Sequence, residues 1–163
     1  MTETAITALR AQPLCAERFA PYGEVLAATE DGVAAGDLDA ALDLSRGRPR
    51  FYLMQLRDKA PRFDRITRHR AVTQCLASVG GAPWWLAVAP PLDVEDPAAT
   101  PDLDRLAAFE VPGDVAVLLA RGTWHAGPYF EAPAMSFFNL ELADTNQVDH
   151  HCVELGRWYS IEP

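Results

Sequence analysis

The chain is poor in the residues that cross-linked or zinc-stapled folds are built on. It has three cysteines, Cys15, Cys75 and Cys152, far apart and without a C-x-x-C pair. This excludes a dense disulfide framework and a zinc knuckle. Cations are also scarce: Lys and Arg total 14 against 23 Asp and Glu, a formal charge of −9. An acidic surface repels phosphates, so neither nucleic acid nor an anionic membrane is an expected partner. No apolar run approaches the ~20 residues that span a bilayer. Met1-Thr2-Glu3-Thr4 has no cationic or apolar leader character, so the expected location is the cytoplasm. A small anion that binds here must find local cations inside a repelling field.

What is present is ordinary globular composition, 49% hydrophobic and 23% charged over 163 residues, which predicts a single domain spanning 1–163. Short apolar runs stand at Phe51–Leu56, Val72–Val79, Trp84–Ala89, Val115–Ala120 and Ser136–Leu142. Their lengths suit strands, and Gly- and Pro-rich turns separate them. The spacing predicts a mainly β fold, an antiparallel barrel or sandwich. A short helical turn is expected at Glu17–Phe19, and a loop over 28–50 with one helical turn at Leu38–Leu44. Thr100-Pro101-Asp102 followed by Leu103, Leu106 and Ala107 predicts an amphipathic helix at 101–109. Trp84 and Trp85 point opposite ways on a strand, which suggests an edge that another chain covers.

The chemistry-bearing residues converge on a few segments. His69 lies in R-I-T-R-H-R-A-V-T-Q and His125 in A-R-G-T-W-H-A-G-P, where Gly122 lets the chain turn before His125 re-enters the sheet. Arg68 and Arg70 flank His69, and one of them could bind a carboxylate, or both could sit in solvated surface pairs. Asn139 and Glu141 share strand parity with Phe137, a polar pair among apolar neighbours as in a barrel lumen, or else on a solvated outer face. Trp124 is a candidate pocket wall. Asn146, Asp149, His150 and His151 could close the pocket or bind metal, or simply lie at the surface. Cys75 reads as a small buried apolar group.

These segments resemble a cupin, the small double-stranded β-helix barrel. Of its motif P-x-G-x-x-H-x-x-x-N, Gly122 and His125 match, with Ala120 and Tyr129 at the outer positions. Of H-x-H-x(3,4)-E, His69 matches the second histidine, Thr67 stands at the first and Gln74 at the glutamate. The resemblance therefore implies a reduced metal set of His69, Gln74 and His125 and at most a weakly bound divalent ion, since a neutral amide is a weaker ligand than a carboxylate.

The order F-A-P-Y-G-E-V, R-H-x(4)-Q, L-A-V-A-P, P-D-L-D-R-L-A-A-F, G-T-W-H-A-G-P and F-F-N-L-E-L-A-D-T-N is similar to the ureidoglycolate lyase family. There are departures. Thr67 replaces an acidic residue before Arg-His, only Leu42-Asp43-Leu44 answers a His-Asp-Leu-Ala segment, and Glu141-Leu142 stands where an Asp-Arg pair ends the last strand. The resemblance implies cleavage of ureidoglycolate to glyoxylate and urea, and a homodimer. It makes His125 the base or ligand and Glu141 its acid/base partner. His69, Gln74, Asn139 and Trp124 would line the substrate, and Arg68 or Arg70 would hold its carboxylate. The lost arginine and altered tail keep open a same-fold isomerase, decarboxylase or hydrolase on another small hydroxy or keto acid, and the incomplete metal set keeps open a non-catalytic cupin that binds a small ligand or a protein partner.

Overall fold

The unbroken apolar run Trp84–Ala89 is the strand that faces two interiors. In the computed structural model, which describes residues 5–163, this run is β6. The leaderless start read over Met1–Thr4 lies outside the described residues. In chain order the elements are β1 (Ile6–Pro13), α1 (Ala16–Phe19), β2 (Gly23–Leu26), β3 (Pro49–Arg57), β4 (Arg62–Arg68), β5 (Gln74–Ser78) and β6 (Trp84–Ala89). After a 3₁₀ turn at Leu103–Arg105 come β7 (Ala107–Val111), β8 (Ala116–Leu119), β9 (Trp124–Tyr129), β10 (Ala134–Leu142), α2 (Thr145–Val148) and β11 (His151–Glu162).

The strands form a closed ring, β1-β11-β4-β9-β6-β7, and a five-stranded sheet, β2-β8-β5-β10-β3. Pairing is antiparallel except for β1, which runs parallel to both β11 and β7 and so closes the ring. The mainly β, cupin-like expectation holds.

Alternation sorts β6 between two cores. Trp84, Leu86 and Val88 join Phe109, Val117 and Phe137 between ring and sheet. Ala87 and Ala89 point into the ring with Ile66, Trp124, Tyr159 and Ile161. A strand buried on both faces needs no polar alternation, hence the continuous run. Each large apolar side chain buried this way contributes about 1.5–3 kcal/mol.

Three expectations need correction. No helix forms at 101–109: Asp102 caps the 3₁₀ turn by accepting from the Asp104 N–H, and Ala107–Val111 then pairs with β6 from Val88↔Ala107 to Trp84↔Val111. Pairing with a buried strand outweighs a few helix-spaced leucines. The segment 38–44 holds turns but no helix; hydrogen bonds between Asp43 and Thr73 tie it down instead. Trp84-Trp85 is not an edge, because β6 lies between β7 and β9, and Trp84 is fully buried. Of all these helices, none is long and apolar enough to cross a membrane.

Candidate active site

Period-two alternation also builds a cavity of about 300 Å³ between ring and sheet. From the sheet come Tyr52, Met54 and Leu56 of β3, Gln74 and Leu76 of β5, and Asn139 and Glu141 of β10. From the ring come Arg65 and Thr67 of β4, His69 just beyond it, and His125 at the start of β9. Lys59 from the β3–β4 turn and Asn146 and His150 from the segment after β10 complete the rim. A wider groove of about 570 Å³ along β2 is lined by small apolar side chains with Glu24, Asp37 and Asp39, and by no histidine or cation. Convergent chemistry, not size, therefore picks out the smaller cavity.

Gly122 brings the two histidines together. It sits at φ +80°, and a Cβ there would come within 2.8 Å of Val94 Cγ2, so both conformation and space require glycine. Its N–H donates to the His69 carbonyl at 2.7 Å. Across β4 and β9, Thr67 pairs with His125, and the rings of His69 and His125 stand 5.1 Å apart. The His150 ring is 6.0 Å from that of His69.

Backbone carbonyls fix both tautomers. His69 Nδ1 lies 2.7 Å from the Asp149 carbonyl and His125 Nδ1 3.3 Å from that of Thr123. A carbonyl only accepts, so Nδ1 carries the proton in each ring and Nε2 keeps its lone pair. Asp149 is itself pinned, since its carboxylate oxygens accept the Arg70 and Ala71 N–H groups, both at 2.8 Å. Burial lowers the pKa of both rings. For His125 the neighbouring His69 adds to burial and takes it down to about 3. For His69 the Asp149 hydrogen bond and the charges of Asp149 and Glu141 pull back against burial. Both imidazoles are neutral at pH 7, and His69 is the one whose protonated form has support.

Opposite them lies a buried polar network. Gln74 Nε2 donates to Asn139 Oδ1 at 3.1 Å and Glu141 Oε2 at 3.4 Å. Glu141 Oε1 accepts from Tyr52 Oη at 3.3 Å and Asn146 Nδ2 at 3.4 Å. Asn139 Nδ2 donates to Tyr52 Oη, and Arg50 covers the Tyr52 ring, 3.9 Å from the Glu141 carboxylate. These two acceptors, Asn139 Oδ1 and Glu141 Oε2, fix the Gln74 amide: its nitrogen must face them, so Oε1 is turned elsewhere. Gln74 is only 7% exposed, and among the described residues its buried Oε1 has no hydrogen-bond partner. A buried lone pair left unsatisfied costs about 1–3 kcal/mol and marks a place for a donor.

Of the residues expected from sequence, His69, His125, Gln74, Asn139 and Glu141 meet in one cavity. Arg68, Arg70 and Trp124 do not. Arg68 is fully buried inside the ring, where it donates to His151 Nδ1 and to the carbonyls of Leu92, Asp93 and Asp96. Its guanidinium lies 4.7 Å from the Trp124 ring, and Trp124 belongs to the ring core. Arg70 donates to the carbonyls of Val94 and Glu95. Both arginines clamp the 92–96 loop, because they sit one residue out of phase with the cavity-facing positions. The 146–151 segment closes the pocket through Asn146 and His150, with Asp149 and His151 as its anchors. Sequence reading missed Tyr52, Lys59 and Arg65. The Tyr52–Met54–Leu56 alternation was a usable signal; a charged residue in a turn carries none.

The donor set fits a resident divalent ion poorly. His69, Gln74 and His125 offer two imidazoles and a neutral amide, and Glu141 is engaged by its own donors. Among the described residues, no three His, Cys, Asp or Glu side chains group as a metal site.

Compared with known proteins, the chain matches a sequence model described as ureidoglycolate lyase over residues 6–158. No curated protein matches it.

Proposed function

The chain belongs to the ureidoglycolate lyase family, and from that premise we propose that it cleaves ureidoglycolate to glyoxylate and urea. This is an amidine-lyase step in the breakdown of allantoin and purine nitrogen. The observation that supports it is one cavity lined by two imidazoles and Gln74, with each imidazole's Nδ1 tied to a backbone carbonyl so that its Nε2 keeps a free lone pair. A ureido group is rich in N–H donors and a hydroxyl adds one more, so substrate supplies what the cavity lacks.

The reaction moves one proton from oxygen to nitrogen. The C–N bond breaks as the hydroxyl becomes the carbonyl of glyoxylate, and the hydroxyl proton ends on the departing urea nitrogen. In this reading His69 Nε2 takes that proton and returns it to the leaving nitrogen. Asp149 and Glu141 support the transient imidazolium. His125, held neutral by its surroundings, accepts a hydrogen bond and orients the substrate. This moves the base role from His125 to His69 and makes Glu141 an electrostatic partner. Gln74, which lines the same cavity, helps orient the ureido group, and no step runs through a metal.

A second copy of the chain is the expected partner. Its place in this reading is β3, an edge strand whose outward Phe51 and Leu53 are exposed beside Phe138.

The test is glyoxylate release from ureidoglycolate by the purified protein. His69→Gln should lower kcat by about 10²–10⁴ with KM little changed. Absence of wild-type release refutes the substrate; an undiminished kcat in His69→Gln refutes the base.

A further inference from the structure

With Arg68 and Arg70 committed to loop carbonyls, nothing yet described holds a substrate carboxylate. We propose that Lys59 and Arg65 form the anion-binding mouth of the cavity. The substrate then enters with its carboxylate outward against these two cations and its neutral, donor-rich end inward against the two imidazoles and Gln74. The inference rests on the functional reading above and deepens it to substrate polarity.

The observations are of three kinds. First, Lys59 and Arg65 line the same cavity as His69, His125 and Gln74. Second, burial is graded: Gln74, His69, Asn139 and Glu141 are buried, whereas Lys59 and Arg65 are exposed. The deep end presents lone pairs and a carboxylate, which reject an anion, and the outer end presents positive charge. Third, the cations are placed and available. Asp58, at φ 54°, carries the turn before Lys59. Its N–H donates to the Pro133 carbonyl at 3.1 Å, and the Phe130 N–H donates to the Lys59 carbonyl at 3.0 Å. The backbone is thus pinned on both sides while the ammonium makes no ion pair among the described residues. Arg65 pairs with Glu154 at 3.2 Å and Asp64 at 3.9 Å. Exposed pairs of this kind are weak and exchange readily for a ligand carboxylate. In a molecule of charge −9, two cations at a cavity mouth supply the local attraction that an anion requires.

The recognised class is therefore a small monocarboxylate with a neutral N–H-bearing head. A substrate with a second anionic group at the inner end is excluded by Glu141.

The test compares two uncleavable probes by calorimetry: oxalurate, with a carboxylate and a ureido group, and oxaluramide, its uncharged amide. The wild-type protein should bind oxalurate at least about tenfold tighter, with a preference that fades at high salt. Lys59→Gln combined with Arg65→Gln should cut the preference to within about threefold and remove its salt dependence, with an unchanged Tm. No preference in the wild-type protein, or full preference in the double variant, overturns the proposal. Ureidoglycolate turnover is measured in parallel. In the wild-type protein, turnover without a preference for oxalurate defeats the mouth alone, and the preference without turnover defeats only the lyase reading.

Discussion

Arg68 and His69 are neighbours in sequence and serve opposite interiors. The histidine faces the cavity with its Nδ1 tied to Asp149; the arginine faces the ring and ties a loop to His151. Truncating a buried guanidinium leaves three carbonyls and an imidazole nitrogen without their donor. We expect Arg68→Ala to lose about 3–5 kcal/mol in urea unfolding. Arg68→Lys should recover little, because an ammonium cannot reach several carbonyls and a ring nitrogen from one planar fork. A loss within about 1 kcal/mol would contradict this structural role. The same single-residue phase explains the error made from sequence. Arg68 and Arg70 were attractive because they flank His69, yet on a strand a flanking residue is the one that points away.

At the scale of elements, what the sequence revealed depended on how each strand is buried. β6 was legible to the residue, because two-faced burial leaves an apolar run with sharp ends. β10 gave away its parity, and Phe137, Asn139 and Glu141 do share the inner face. β4 and β11 were not legible. R-F-D-R-I-T-R and the long, half-exposed β11 are strands because of their pairing with each other, a long-range fact that composition does not record. β7 was misread for the same reason. The glycine before His125 located one half of the site, whereas Lys59 and Arg65 were hidden as ordinary surface charge. β3 carries the element-scale prediction. Its free edge bears Phe51, 67% exposed and stacked on Phe138, and Leu53, 60% exposed. An uncovered apolar edge invites pairing, so in sedimentation the wild-type chain should run as a dimer and Phe51→Asp with Leu53→Asp as a monomer. A wild-type monomer would rule out this interface.

For the whole molecule, the buried histidines set the response to acid. In the unfolded chain His125 takes a proton near its ordinary value of 6.5, whereas in the folded chain it does so only near pH 3. Between these values the unfolded state binds the extra proton, so stability falls as pH falls through that window. The full slope for one such group is about 1.4 kcal/mol per pH unit, and the lowered His69 adds in the same direction. Thermal unfolding from pH 7 to pH 4 should show Tm dropping with acidity, and His125→Asn should flatten the drop. An unchanged profile in that variant would assign the acid sensitivity elsewhere.

The shared wall between the two interiors also constrains how this molecule can change. Along β4 from Arg65, and at the start of β9, every second residue belongs to the cavity and the others to the ring core. Substitutions at 65, 67, 69 and 125 can alter what the cavity accepts while leaving the ring packing alone. A one-residue insertion or deletion within β4 would instead trade the two sets, turning Ile66 and Arg68 toward the substrate and Thr67 and His69 into the hydrocarbon. Related chains that acquire new substrates should therefore differ by point changes in these strands and keep their length variation in the loops.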